Sequence, residues 1–254
     1  MALTRLFIRA TLRRGQDLPL DSEQANYLGR VLRLRVGDSL SVFSADSGEF
    51  AATVASIGKS GTQLTIGDPI ETNTESPLRI HLVQGVSRGD RMDVVVQKST
   101  ELGVKRITPV LTEYGVVKLD GDRAEKRRAH WEKIAQGACE QCGRVRPPLI
   151  DPPLPLKTWF GDQTSDADVD LVLQPGAAMP MTALKSPNTK VCLLIGPEGG
   201  FSDNEYDDAG ISGFLPVSLG PRVLRTETAA VAAISVAQTL WGDLGAAATA
   251  SRKN

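Results

Sequence analysis

The chain has 254 residues, 41% of them hydrophobic and 23% charged, which is enough apolar material for one large domain or two modest ones and excludes disorder of the whole chain. No stretch approaches the roughly 18 to 20 apolar residues of a membrane-spanning helix, and a net charge of -1 excludes a globally basic nucleic-acid binder. Three cysteines, Cys139, Cys142 and Cys192, are too few for a disulfide framework, so free thiols and a soluble, cytoplasmic protein are expected.

In chain order, the first 70 residues read as short strands. Segments 3–9, 39–45, 50–57 and 62–67 carry β-branched or aromatic residues and are separated by turn signals at Gly37-Asp38, Ser47-Gly48 and 58–61. One helix interrupts them, capped by Asp21 or Ser22, with Ala25, Leu28, Val31 and Leu32 as its apolar stripe. So many short strands need their edges paired or covered, which predicts a small β-barrel over 1–72. The polar stretch 71–77, ending in Pro77, reads as a linker.

From Leu78 the pattern becomes strands alternating with helices, the mark of an α/β domain with a mainly parallel sheet, expected over 77–245. Strands are predicted at 79–85, 104–111, 169–173, 191–195 and 214–219. Asp90 is placed as the cap of a helix through Met92, Val95, Val96 and Leu102, with Gly103 at its C-terminal end. Further helices are expected at 122–141, after the Ser202/Glu205 capping box, and at 226–240. The small-residue tail 246–254 is expected to be disordered.

Any contact with nucleic acid must come from local basic clusters. Arg5, Arg9, Arg13 and Arg14 open the chain, Arg30, Arg33 and Arg35 follow, and 123–128 and 144–146 add more. The spacing in 122–128 fits a solvated helix face. For Arg30, Arg33 and Arg35 a solvated surface and an RNA-contacting surface are equally well supported.

The chemistry concentrates where two predicted strands end. Ile195-Gly196-Pro197-Glu198-Gly199-Gly200 follows a strongly apolar strand, and Leu219-Gly220-Pro221-Arg222-Val223-Leu224-Arg225-Thr226-Glu227-Thr228 repeats the order strand, glycine, Arg-rich loop, helix. Ligands of open α/β sheets bind outside such carboxyl ends. Neither a P-loop nor a G-x-G-x-x-G turn is present. Taken alone, each loop also fits a tight connection, and from the residues the reading ends at an α/β enzyme with a two-loop pocket. Cys139-Glu140-Gln141-Cys142 lacks a second ligand pair and the chain has only two histidines, His81 and His130, so a structural role is expected for the cysteine pair and for His81, and no metal is predicted.

These residues resemble the RsmE-type ribosomal RNA uracil-N3 methyltransferases of the SPOUT superfamily. The resemblance includes 196–200 and 219–229, and also Arg30-Val31-Leu32-Arg33 with Gly37-Asp38, the runs 87–92 and 97–104, and Ala138-Cys139-Glu140-Gln141-Cys142-Gly143-Arg144. Asn26-Tyr27 stands where many members have histidine, and Arg88 where many have lysine. The resemblance implies a PUA-like RNA-binding barrel followed by a SPOUT domain with a deep trefoil knot, a rare exception to unknotted topology. It also implies a homodimer acting on 16S ribosomal RNA of the small subunit, the alternative being a non-catalytic RNA-binding assembly factor.

In such proteins S-adenosylmethionine lies among knot loops, here 173–175, 195–200 and 219–224. That implies cofactor contacts by Leu173, Gln174, Ile195, Gly196, Pro197, Glu198, Gly199, Gly200, Leu219, Gly220, Val223, Leu224 and Thr228. RNA contacts are expected from Arg5, Arg9, Arg30, Arg33, Arg88 and Arg144. Uracil N3 carries a proton, so methylation needs a base and cations that stabilise the imide anion. Arg225 or Arg222 is expected to supply the charge, and Glu198 to act as base or orienting group. Glu227 is the other candidate base, equally well read as an acid favoured at a helix N-terminus.

Overall fold

The computed structural model describes residues 4–58, 61–162, 166–185, 187 and 189–245. The tail 246–254, and Leu3 of the first predicted strand, lie outside the described residues. The chain divides into two compact units. One holds the residues up to Glu75 together with Cys139–Arg146, and the other holds Ser76–Ala138 and the residues from Pro147 onward. The first unit thus takes in Cys139–Arg146, a late piece of chain that lies within the range 77–245. The segment read as a linker is anchored. Thr74 Oγ1 donates to the Gly143 carbonyl at 2.9 Å, Glu75 pairs with Arg144 at 3.0 Å, and the buried Ser76 donates to Gln238 Oε1 at 2.8 Å.

The first unit is built on a five-stranded sheet. Its strands are β1 (Arg5–Phe7), β2 (Asp17–Pro19), β3 (Ser39–Ser44), β4 (Gly48–Gly58) and β5 (Gly61–Ile70), ordered β1-β3-β4-β5-β2. Every pairing is antiparallel except β1 with β3. Among the described residues this path is open, with β1 and β2 at its ends, rather than a ladder closed on itself. Pro19 is tolerated in β2 because an edge strand leaves one side without ladder bonds. Alternating Leu40, Val42, Leu64 and Ile66 point into a core that also holds Leu6, Leu18 and Val54.

Helix α1 (Ser22–Asn26) begins at Asp21, whose carboxylate accepts from the Gln24 N–H in a capping box. Of the predicted apolar stripe Ala25, Leu28, Val31 and Leu32, Leu28 is buried and Leu32 packs against the core, while Val31 turns outward. The chain widens into a π-helical turn over Tyr27–Val31, so Leu28 is fully buried while Val31 is 66% exposed. Arg33 follows in the left-handed region, with φ 57°.

The second unit is a parallel sheet covered on both faces. Its strands are β6 (Arg79–Gly85), β7 (Arg106–Leu111), β8 (Leu149–Ile150), β9 (Leu154–Pro155), β10 (Val169–Leu173), β11 (Lys190–Ile195) and β12 (Leu215–Val217). Their order is β12-β10-β11-β6-β7-β8, with β9 also on β7. Burial on both sides explains the uninterrupted apolar run of β11. Val191, Leu193 and Ile195 face a core with α2 (Arg91–Glu101), α3 (Gly121–Cys142) and α6 (Thr226–Trp241). Cys192 and Leu194 face the opposite core, with α4 (Leu156–Asp162) and α5 (Asp203–Ile211).

Asp90 sits at the N-cap position of α2, but its backbone is helical and its side chain makes no capping bond, contrary to the sequence expectation. At α5 the expected Ser202/Glu205 capping box forms. Among the described residues no helix is long and apolar enough to cross a membrane.

Candidate active site

Strands β10, β11 and β12 are neighbours, so their carboxyl ends open side by side, and a cavity of about 440 Å³ lies there. That size suits a small-molecule ligand. Its walls come from three turns, 173–175 after β10, 195–200 after β11 and 219–225 between β12 and α6. The first turn is tied to β12 by the Gln174 N–H, which donates to the Val217 carbonyl at 3.0 Å. The second is tied to α6 by Thr226, whose Oγ1 donates to the Gly196 carbonyl at 2.7 Å. Gln84 at the end of β6 donates through Nε2 to Thr226 Oγ1 at 2.9 Å and is fully buried, which holds the same junction from below.

Of the thirteen residues expected to contact the cofactor, the cavity gathers eleven: Leu173, Gln174, Ile195, Gly196, Pro197, Glu198, Gly200, Leu219, Gly220, Val223 and Leu224. Gly199 faces away. A Cβ there would lie 2.8 Å from the Tyr114 carbonyl oxygen, so this glycine lets the 112–115 turn pack against the loop. Thr228 also stands outside the lining, on the exposed side of α6. Thr226, two residues earlier, takes the inward position. Arg91, Tyr206, Val217, Glu227 and Ala229 line the cavity without having been assigned to the cofactor. Glu227 belongs to the 219–228 motif and Ala229 follows it, Arg91 comes from the 87–92 run, and Tyr206 reaches in from α5 with no local signal.

The wall is apolar where the strands end and polar at its mouth. Glu198 Oε1 accepts from Arg91 Nη1 at 2.5 Å and from the Arg88 N–H at 3.0 Å. Burial by itself would push this carboxyl up. Hydrogen bonds from its own backbone N–H, from Arg91 and from the Arg88 N–H outweigh it and hold the group below the usual 4.5. Such a carboxylate is a weak proton acceptor, so the geometry favours orientation over base catalysis for Glu198. Arg222 and Arg225 are exposed at the cavity mouth, Arg225 at the N-cap position of α6 with no capping bond from its side chain. Glu227, in the first turn of α6, has a buried Oε2 without a hydrogen-bond partner.

The residues fit S-adenosylmethionine by their chemistry. Leu173, Ile195, Val217, Leu219 and Leu224 offer apolar surface to a purine, and the backbone at Gly196, Gly200 and Gly220 is free of side chains.

The expected RNA-binding arginines separate into two groups. Arg9, Arg30, Arg33 and Arg88 are exposed. Arg5 and Arg144 are largely covered and engaged within the first unit. Arg5 pairs with Glu49 through two bonds of 2.9 Å, donates to the carbonyls of Cys139, Glu140 and Arg144, and stacks over Phe43 with Cζ 4.3 Å from the ring centre. Arg144 is 2% exposed and pairs with Glu75. Both arginines hold the C-terminal end of α3 inside the first unit. Cys139 and Cys142 are free thiols in the same place, and no cluster of three or more His, Cys, Asp or Glu among the described residues could hold a metal.

The fold and site are those of an RNA methyltransferase: the RNA methyltransferase domain family matches residues 74–238, and the RNA methyltransferase PUA domain family matches residues 20–67. The chain is 36% identical to the ribosomal RNA small subunit methyltransferase E of Buchnera aphidicola subsp. Acyrthosiphon pisum over 95% of each chain. It is 29% identical to that of Bacillus subtilis over 92% of this chain and 95% of the relative. Two solved structures are also similar. A Legionella pneumophila methyltransferase in complex with bound S-adenosylmethionine has a TM-score of 0.91 at 42% identity, covering 96% of this chain and 100% of that one. A Neisseria gonorrhoeae ribosomal RNA small subunit methyltransferase E bound to S-adenosylmethionine has a TM-score of 0.88 at 36% identity, covering 95% and 99%. The chain belongs to the ribosomal RNA small subunit methyltransferase E family.

Proposed function

We propose that the protein methylates N3 of a specific uridine in the 16S ribosomal RNA of the small subunit, using S-adenosylmethionine, as a cytoplasmic homodimer whose second unit is drawn into a deep trefoil knot around the cofactor. The observation that carries this reading is the convergence of the turns at 173–175, 195–200 and 219–225 on one cavity with Arg222 and Arg225 at its mouth. Relatives named as small subunit methyltransferases, and similar structures bound to S-adenosylmethionine, support an enzyme over a non-catalytic assembly factor.

When bound, S-adenosylmethionine supplies an activated methyl group. The chain supplies the rest. Arg225 and Arg222, at the cavity mouth, lend positive charge to the imide anion that forms once uracil N3 loses its proton. Glu198 fixes Arg91 and the Arg88 backbone, which keeps the start of α2 against the 195–200 turn. Arg9, Arg30 and Arg33 hold the phosphate backbone of the RNA.

The test is methyl transfer from isotope-labelled S-adenosylmethionine to free 16S ribosomal RNA and to assembled small subunits lacking the modification, followed by nucleoside mass spectrometry. Labelled N3-methyluridine at one position is expected. No label, or label on another nucleoside, would overturn the reading.

A further inference from the structure

Next to the cavity at the strand ends lies an open groove at the start of α2, lined by Arg88, Gly89, Asp90, Arg91, Val94 and Glu227. Arg91 and Glu227 also line the cavity, so both spaces border these two residues. The Glu227 Oε2 atom is buried and has no partner, a state that leaves a desolvated acceptor calling for a donor. The Arg88 side chain has no partner among the described residues, and Arg91 uses only Nη1, on Glu198.

We infer that this groove seats the target uracil, with Glu227 accepting the N3 proton and Arg88 and Arg91 facing the carbonyl oxygens on either side. The inference rests on the proposed N3 methylation and deepens it. The N3 edge of uracil reads acceptor, donor, acceptor, and Arg88, Glu227 and Arg91 supply donor, acceptor, donor. Cytosine has no proton at N3 and carries an amino group at C4, so it sets a lone pair against the Glu227 carboxylate and a donor against an arginine. The same three residues thus reject cytosine. In the reaction the N3–H bond breaks, the proton passes to Glu227 Oε2, and the electron pair stays on N3, ready to take up the methyl group. Other charged groups around the two spaces are Asp90 beside Arg91, Glu198 bound to Arg91, and Arg222 and Arg225 at the cavity mouth.

Two measurements test this on the full-length protein. The first is the single-turnover methylation rate across pH with RNA and cofactor saturating. Glu227→Gln should be slower by about a hundredfold or more at neutral pH and climb about tenfold per pH unit toward wild type, as the uracil ionises without help. Glu198→Gln should run parallel to wild type. A parallel profile for Glu227→Gln would overturn the assignment.

The second is binding, with S-adenosylhomocysteine present, to small subunits reconstituted with 16S ribosomal RNA carrying uridine or cytidine at the target. Wild type should prefer uridine by about tenfold or more, as sites built around a hydrogen bond do. Glu227→Gln, whose amide can donate to cytosine N3, should lose that preference. Equal affinities in wild type, or a preference unchanged in the variant, would overturn the groove assignment. A thermal unfolding transition like that of wild type checks that the variant is folded, and Arg88→Met, in the same groove, gives a second reading. It should weaken the uridine preference at unchanged cofactor affinity, and an unchanged preference counts against the groove. If wild type itself places no methyl on N3, the proposed function fails. If it does so and Glu227→Gln behaves as wild type, only the present inference fails.

Discussion

Gly85 and Pro197 share one small volume: a Cβ added at Gly85 would lie 2.4 Å from Pro197 Cδ and 2.5 Å from the Pro197 nitrogen. The end of β6 and the turn after β11 are therefore in backbone contact, and the 195–200 turn takes its position from a strand more than a hundred residues earlier in the chain. Gln84, next to Gly85, secures the other side of the turn through Thr226.

Gly85→Ala should accordingly shift the 195–200 turn. A loss of about 1–3 kcal/mol in stability is expected from overpacking, with S-adenosylmethionine affinity falling about tenfold or more. Gly137→Ala is the contrasting change. Its Cβ would meet open space within α3, so it should raise stability by about 0.5–1 kcal/mol. Urea unfolding and titration calorimetry on both variants decide the matter, and an intact cofactor affinity in Gly85→Ala would contradict the packing argument.

Arg5 and the exposed arginines should respond in opposite ways. Arg5→Met leaves Glu49 buried with only the Ser41 hydroxyl, 2.7 Å away, and should cost about 3 kcal/mol. Arg30→Ala and Arg33→Ala should leave stability within about 0.5 kcal/mol. Each should reduce the salt dependence of RNA binding by about one phosphate contact. Unfolding midpoints and RNA affinities measured over a salt series separate the two classes, and a stable Arg5→Met that binds RNA weakly would restore Arg5 to the RNA-binding surface.

Burial, and after it the Arg106 guanidinium, lowers the His81 imidazole from 6.5 to about 4. The unfolded chain then takes up this proton before the folded one does. Stability from the neutral imidazole is complete above pH 6.5 and declines as pH falls from 6.5 toward 4, by at most about 1.4 kcal/mol per pH unit. Unfolding free energies collected at steps between about pH 7 and pH 4 should show this slope in wild type and a shallower one in His81→Asn. Identical slopes would remove His81 as the cause.

Much of this architecture is legible in local pattern. The apolar run 191–195 is a strand buried on both faces, Ser202 with Glu205 does cap α5, and the glycines after β11 and β12 do open onto one cavity. Other parts escape for identifiable reasons. The strands β8 and β9 have two residues each, too short for any period, and α4 begins directly behind a proline-rich run. Arg5 and Arg144 read as surface cations because their partners Glu49 and Glu75 lie 44 and 69 residues away. Arg91 enters the cavity wall from α2, whose pattern reports only its apolar face.

Arg225→Ala tests the charge at the cavity mouth. If Arg225 stabilises the imide anion, the contact is strongest in the transition state, and the rate should fall about a hundredfold or more while S-adenosylmethionine affinity changes little. Single-turnover rates on pre-bound RNA, set beside calorimetric cofactor affinities, make the comparison. Equal losses in both would leave Arg225 a binding residue only.

The residues Cys139–Arg146 lie with the first unit although the chain on both sides of them belongs to the second. The polypeptide passes between the units at Glu75/Ser76, at Ala138/Cys139 and at Arg146/Pro147. Recombination at a single point between Glu75 and Cys139 would therefore split a set of partners: Arg5 from the carbonyls of Cys139, Glu140 and Arg144, and Glu75 from Arg144. A chimera that takes its first 75 residues from a relative should need that relative's residues 139–146 as well, so the two halves of this enzyme are heritable as a matched pair rather than as interchangeable modules.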